Sequence, residues 1–210
     1  MPKTLQDGSL KNAVKIVHNP KVLMDPIRRE ILRLLAIKPY TVTQLAEILN
    51  LTKSTIGHHT RVLMKAGLIR IKWTRIEEHG ILEKYYEPIA LLFIEDYKKI
   101  PREMRKYFIL IHMERLRGIL VALNLIGDKT SAIEILKKCW KREYESSKNQ
   151  DILNEMAEEI LRRITQVGER YEGKPTELDG ESLLTKIYCE VLKRIISTKE
   201  WKQVLEKVNK

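Results

Sequence analysis

Thr41–Leu68 reads TVTQLAEILNLTKSTIGHHTRVLMKAGL, and the fold class follows from how this stretch is punctuated. Thr41 with Gln44 three residues on is a capping box: the Thr side chain takes one free N–H of a helix start, and the Gln side chain reaches back for another. Leu45, Ile48 and Leu49 give the helix that follows its expected buried stripe. Asn50 tolerates the left-handed conformation that ends a helix, and Leu51 is expected to pack the turn. Thr52 caps a further helix running to about Ala66, and Gly67 supplies a second left-handed cap. Two short helices joined by so tight a turn form a helix-turn-helix.

Upstream, Asp25 caps another helix with Pro26 at its first position, where a missing N–H costs nothing. Ile27, Ile31, Leu34 and Leu35 fall at helical spacing, and Lys38-Pro39 stops the run. Lys11–Val17 (KNAVKIV) reads as a short strand ended by Asn19-Pro20. Downstream, the period changes from 3.6 to 2. Leu68–Trp73 alternates, and Ile81–Tyr86 does so less cleanly. Glu77-Glu78-His79-Gly80 between them is polar and carries a turn glycine, so the pair reads as a hairpin.

From Pro88 onward the chain reads as wholly helical. Met104, Phe108, Ile111, Arg115, Ile119 and Leu123 share one expected face, and Ile133–Tyr144 forms another helix. Ile152, Met156, Ile160, Ile164 and Val167 make a stripe, followed by a loop at Gly168–Gly180. Leu183, Ile187, Val191 and Ile195 make the next, and Trp201, Val204, Leu205 and Val208 close the chain. The fold class expected is mainly α with a small β wing: a winged helix-turn-helix over residues 1–100, then an all-helical domain over 101–210.

The chain of 210 residues carries a formal net charge of +11. Between Pro20 and Arg75 eleven Lys and Arg face only Asp25, Glu30 and Glu47, so most of the surplus sits on the helix-turn-helix. A compact basic unit attracts a polyanion, nucleic acid before an acidic membrane; the plain alternative is a solvated surface. The high Lys, Arg and Glu content is the bias of proteins from hot environments, which suggests a thermophile. Cys139 and Cys189 make no ligand-pair spacing and suit a reducing cytoplasm. Met1–Leu10 is polar, unlike a signal peptide, and Tyr107–Ile126 is too interrupted by charge for a membrane span. A soluble cytoplasmic protein is expected, with no membrane partner.

Three motifs, in order, carry a resemblance. Leu23–Leu32 (LMDPIRREIL) resembles the L-x-D-P-x-R-x-x-I-L opening of ArsR-type bacterial and archaeal repressors. Leu45–His59 (LAEILNLTKSTIGHH) is similar to their L-A-x-x-L-x-x-S-x-S-T-V-S-H-H, and Leu63–Ile69 (LMKAGLI) resembles the L-x-x-A-G-L-V that leads into the wing. The resemblance covers about residues 20–90. The short strand-like N-terminus and long helical tail are similar to archaeal ArsR-like proteins with a large C-terminal helical domain. It implies a DNA-binding transcription regulator. Thr60 departs from the family's usual Leu. Metal sensors of the family place Cys-x-Cys in the helix-turn-helix; Leu45–Asn50 holds no Cys, so metal sensing is not carried over and no cofactor is implied.

A recognition helix buries one face on its own domain and shows the other to the major groove. On Thr52–Ala66 the buried face is Ile56, Leu63 and either His59 or Thr60. Thr52, Lys53, Ser54, Thr55, Gly57, His58 and Arg61 remain outward: short, polar or basic, with Lys53 and Arg61 able to reach phosphates or a guanine edge. Gly57 serves either groove access or close packing within the domain. Thr41, Thr43 and Gln44 start a helix whose N-terminus favours phosphate. Arg70, Lys72, Arg75 and Lys84 lie on or beside the hairpin and can follow the DNA backbone, whereas Glu77 and Glu78 at its tip are repelled by it. Trp73, Tyr85 and Tyr86 read as hairpin packing rather than a stacking platform, and His112 as a packed or surface histidine. No nucleophile elbow, phosphate loop or zinc-hydrolase motif is present, so no enzyme is expected.

The reading is a homodimeric repressor of double-stranded DNA, its tail carrying dimer contacts and room for a small-molecule effector. The rival is a winged helix serving as a protein-interaction module without DNA binding.

Overall fold

The computed structural model describes residues 11–76, 80–125, 150–196 and 198. Cys139, the expected helix Ile133–Tyr144, the closing stripe from Trp201 and the wing-tip residues Glu77, Glu78 and His79 lie outside the described residues. The chain divides into two compact units, one of Met1–Asp96 with Gly168–Leu183, the other of Tyr97–Val167 with Leu184–Lys210.

The first unit opens with β1 (Lys11–Val17), a short α1 (Lys21–Met24), α2 (Pro26–Ile37), α3 (Val42–Leu49) and α4 (Lys53–Lys65). The antiparallel hairpin of β2 (Ile69–Ile76) and β3 (Leu82–Pro88) follows, then β4 (Ala90–Glu95). The local signals act as the sequence suggests. Asp25 Oδ1 accepts the Arg28 N–H at 3.1 Å, and both arms of the Thr41–Gln44 capping box are made. Asn50 sits at φ 52° and Gly67 at φ 66°, the left-handed region in each case. Ile31, Leu34, Leu35, Leu45, Ile56 and Leu63 meet in one core, which fixes the three helices against each other.

In this unit three expectations are corrected. Ala90–Glu95 is a strand, not helix: β4 pairs in parallel with β1, Val14 opposite Leu92 and Ile16 opposite Ile94. A short continuous apolar run has no period to separate a two-sided buried strand from a buried helix. The entire helix-turn-helix and wing form the crossover that a parallel pair requires. The loop after residue 168 also gives a strand, β5 (Pro175–Thr176), on the other edge of β1. Lastly, Ile48 is 49% exposed and Leu51 is exposed too; Leu45 and Ala46 carry the buried side of α3. An eight-residue helix packed against α4 needs only a narrow apolar edge.

In the second unit, a single 3-10 turn (Tyr97–Lys99) leads into α5 (Arg102–Leu125); α6 (Gln150–Glu169) and α7 (Gly180–Ile196) supply the other helical stripes. Ile187, Val191 and Ile195 are buried, as are Ile160, Ile164 and Val167. The face of α5 differs from the expected one: Phe108, His112 and Leu116 are buried, while Arg115 is exposed. A buried arginine would need an anionic partner. His112 instead meets a neutral one, the Tyr188 hydroxyl, so the rotated face leaves fewer charges to desolvate. The fold class stands as mainly α with a winged helix-turn-helix before a helical region. Among the described residues no helix is long and apolar enough to cross a membrane.

Candidate nucleic-acid interface

Much of the positive charge counted in the sequence is already engaged. Arg28 and Arg29 turn back from the start of α2 onto the end of α1: Arg28 Nη2 donates to the Lys21 carbonyl, and Arg29 Nη1 donates to the Leu23 and Met24 carbonyls at 2.7 and 3.0 Å. These guanidiniums satisfy orphan carbonyls of a four-residue helix that could not stand alone. Arg33 is held by Glu30 one turn before it. The charge left for a partner therefore concentrates on α4 and the hairpin.

The capped helix α4 buries Ile56, His59, Thr60 and Leu63. Both His59 and Thr60 are thus inside. The Thr60 hydroxyl donates to the Ile56 carbonyl at 2.7 Å, which lets a polar residue occupy the core face without an unmet group. His59 packs its ring edge against His58 and brings Nδ1 to 3.6 Å from Asp25 Oδ2, too long for a hydrogen bond. Burial pushes its imidazole below the ordinary value; Asp25 pulls the other way, while Arg28 and His58 add to the depression.

The opposite side of α4 shows Lys53, Ser54, His58 and Arg61 to solvent, with Thr55 and Gly57 half-buried. Thr52 is exposed, and its hydroxyl accepts the Thr55 N–H and meets the Thr55 hydroxyl. Lys65 is exposed as well and falls on the ridge of Ser54, His58 and Arg61 by helical spacing. The sequence reading left Lys65 out, although its spacing from Arg61 was the available signal. Before α4, Thr41 is only 2% exposed and its hydroxyl is taken by the cap, as is the Gln44 carbonyl oxygen. Of the α3 start, half-buried Thr43 and the first backbone N–H groups remain for an anion.

The wing is tied to the helices by the Tyr86 N–H, which donates to the Tyr40 carbonyl at 3.0 Å. A register shift between Ile71 and Trp73 makes Lys72 the extra residue of a bulge. Trp73 and Tyr85 then stack at 5.2 Å, as hairpin packing. Glu87, buried at the base, holds two of the four wing cations: Arg70 at 2.8 Å and Lys72 at 3.1 Å. Arg75 lies opposite Glu83, and Lys84 opposite Thr74, one residue along and so on the other face. No single face presents all four. Sequence spacing did not mark Glu87, because its partners lie across the strand pair.

Among the described residues, no group of His, Cys, Asp and Glu is arranged to hold a metal ion. Residues 25–70 match the family model of bacterial regulatory proteins of the arsR family. This segment is similar to the helix-turn-helix of that family. The match runs from the Asp25 cap through α4 to the second residue of β2, so it takes in the three helices but not the hairpin beyond Arg70, and it supports a DNA-binding transcription regulator. No curated protein matches the chain. Within the first unit, the outward side of α4 is the continuous polar and basic ridge, and the wing flanks it as a partly neutralised hairpin.

Proposed function

We propose that the protein is a sequence-specific transcription regulator that binds duplex DNA as a homodimer and represses by occupying a promoter. The observation that carries this reading is the two-sided character of α4: an apolar face locked in the core and an exposed face of Lys53, Ser54, His58 and Arg61, within an ArsR-type domain. A helix so divided fits the major groove, with Lys53 and Arg61 as the contacts to phosphate or guanine. A two-fold dimer would set two such helices about 34 Å apart on a pseudo-palindromic site. The helical region from Pro101 supplies the dimer contacts and the place for a small-molecule effector.

The test is fluorescence anisotropy with duplex DNA over a salt series. Wild type is expected to bind with affinity falling steeply as salt rises. Replacing Lys53 and Arg61 together by Ala should lower the slope of log K against log salt by about 2 per protomer, about 4 for the dimer, at roughly 0.9 per lost contact. Wild-type affinity and slope in that double variant refute the assignment of this helix.

A second reading draws on the apolar residues left exposed in the first unit, Ile37, Ile48 and Leu51. These favour a protein-contact role for the winged helix, which absence of duplex binding by the wild type at low salt would support.

A further inference from the structure

Gly57 occupies the interior of α4, where glycine weakens a helix relative to alanine. The fold gives no reason for it. Its φ is not positive, so no left-handed turn demands it. A Cβ built at Gly57 would meet nothing within 4 Å, so no neighbour excludes a side chain. Gly168 shows the contrast: a Cβ there would stand 2.7 Å from Ile94 Cδ1, and its glycine serves packing. What Gly57 makes room for is therefore outside its own unit.

Its surroundings say what that is. Gly57 lies one turn after Lys53 and Ser54 and one turn before Arg61, beside His58, all of them exposed. Arg61 Nε donates to the Gly57 carbonyl at 3.2 Å, which fixes the root of the guanidinium and leaves both terminal nitrogens for other acceptors. A helix with its side chains is about 10–12 Å across, and the major groove is about 12 Å wide, so docking leaves almost no slack.

We propose that Gly57 is the point of closest approach between α4 and the floor of the major groove. Its missing side chain admits a base edge, while Ser54, His58 and Arg61 around it supply the hydrogen bonds that read sequence. The inference rests on the DNA-binding reading above and makes Gly57 a specificity-determining position.

The experiment uses full-length Gly57→Ala and Gly57→Leu. The DNA probes are the duplex that wild type selects from a random pool and an unrelated duplex of equal length. The thermal midpoint should rise by a few degrees with Ala, since Ala favours helix and its Cβ meets no obstacle. Affinity for the selected duplex should fall by about tenfold with Ala and further with Leu, because the helix is held off the base edges. Affinity for the unrelated duplex should stay within about twofold, because charge-driven binding needs no close approach. Selected-duplex affinity within twofold of wild type in both variants overturns the inference alone. So does a lower midpoint with Ala, which would show that the fold itself needs the glycine. A wild-type chain that binds no duplex at low salt overturns the DNA reading and this inference together.

Discussion

Replacing Glu87 by Gln should make the protein bind DNA more tightly and with a steeper salt dependence. Glu87 holds Arg70 at 2.8 Å and Lys72 at 3.1 Å, so two wing cations spend their charge on one carboxylate. Gln keeps the size and a hydrogen-bond acceptor and removes the charge. Arg70 is two-thirds exposed and Lys72 about one-third, so both can swing to a phosphate once released. Each new contact adds about 0.9 to the slope of log K against log salt, or about 2 per protomer and about 4 for the dimer if both cations reach the backbone. Affinity should rise with the slope, most of all at low salt. The loss in stability should be small, about 1 kcal/mol, since the cation ends of both pairs are wet. Anisotropy titrations over a salt series give the slope, and a thermal melt confirms the fold. A folded Glu87→Gln variant with an unchanged or shallower slope refutes the reasoning, and with it the role of the wing as a backbone contact.

Thr41→Ala removes the Oγ1 that accepts the Gln44 N–H, leaves the backbone arm of the capping box in place, and should cost about 1 kcal/mol, lowering the thermal midpoint by several degrees; an unchanged midpoint would show that α3 does not depend on this side-chain cap. Stability should also depend on pH through His59, whose pKa is depressed in the fold below its ordinary 6.5 by burial. The unfolded chain then binds the proton more readily, so this contribution is fully present above 6.5 and is lost as pH falls through and below that value. Thermal midpoints of wild type and His59→Gln across roughly pH 5 to 8 should converge on the acid side; parallel curves would remove His59 as the source.

What the sequence showed clearly was local. The Asp25 cap, the Thr41–Gln44 box, the left-handed Asn50 and Gly67, and the boundaries of α2 to α4 all depend on residues within a few positions of one another. The outward side of α4 was legible for the same reason, since helical spacing fixes which residues share a face. What stayed hidden was set by distant partners. β4 is a strand because β1 lies beside it, some seventy-eight residues earlier in chain order at Val14 and Leu92. Ile48 faces out because Leu45 and Ala46 already supply the edge of α3 that packs against α4. His112 is inside because Tyr188 waits for it, and Glu87 neutralises the wing because the strand register brings Arg70 and Lys72 to it. None of these can be read from a window along the chain.

The pairing of β1 with β5 has a bearing on how the protein comes into being. Ala13 donates its N–H to the Lys174 carbonyl at 2.7 Å, and Lys15 meets Glu172 at a separation of 157 residues. Synthesis proceeds from the N-terminus, so the three helices and the wing are made well before the last strand of their own unit exists. Until residue 176 has been added, β1 keeps an open edge, and such an edge is the part of a nascent chain most ready to pair with a neighbour. The unit that carries the recognition helix therefore begins folding first and finishes among the last, timed by the translation of the helical half.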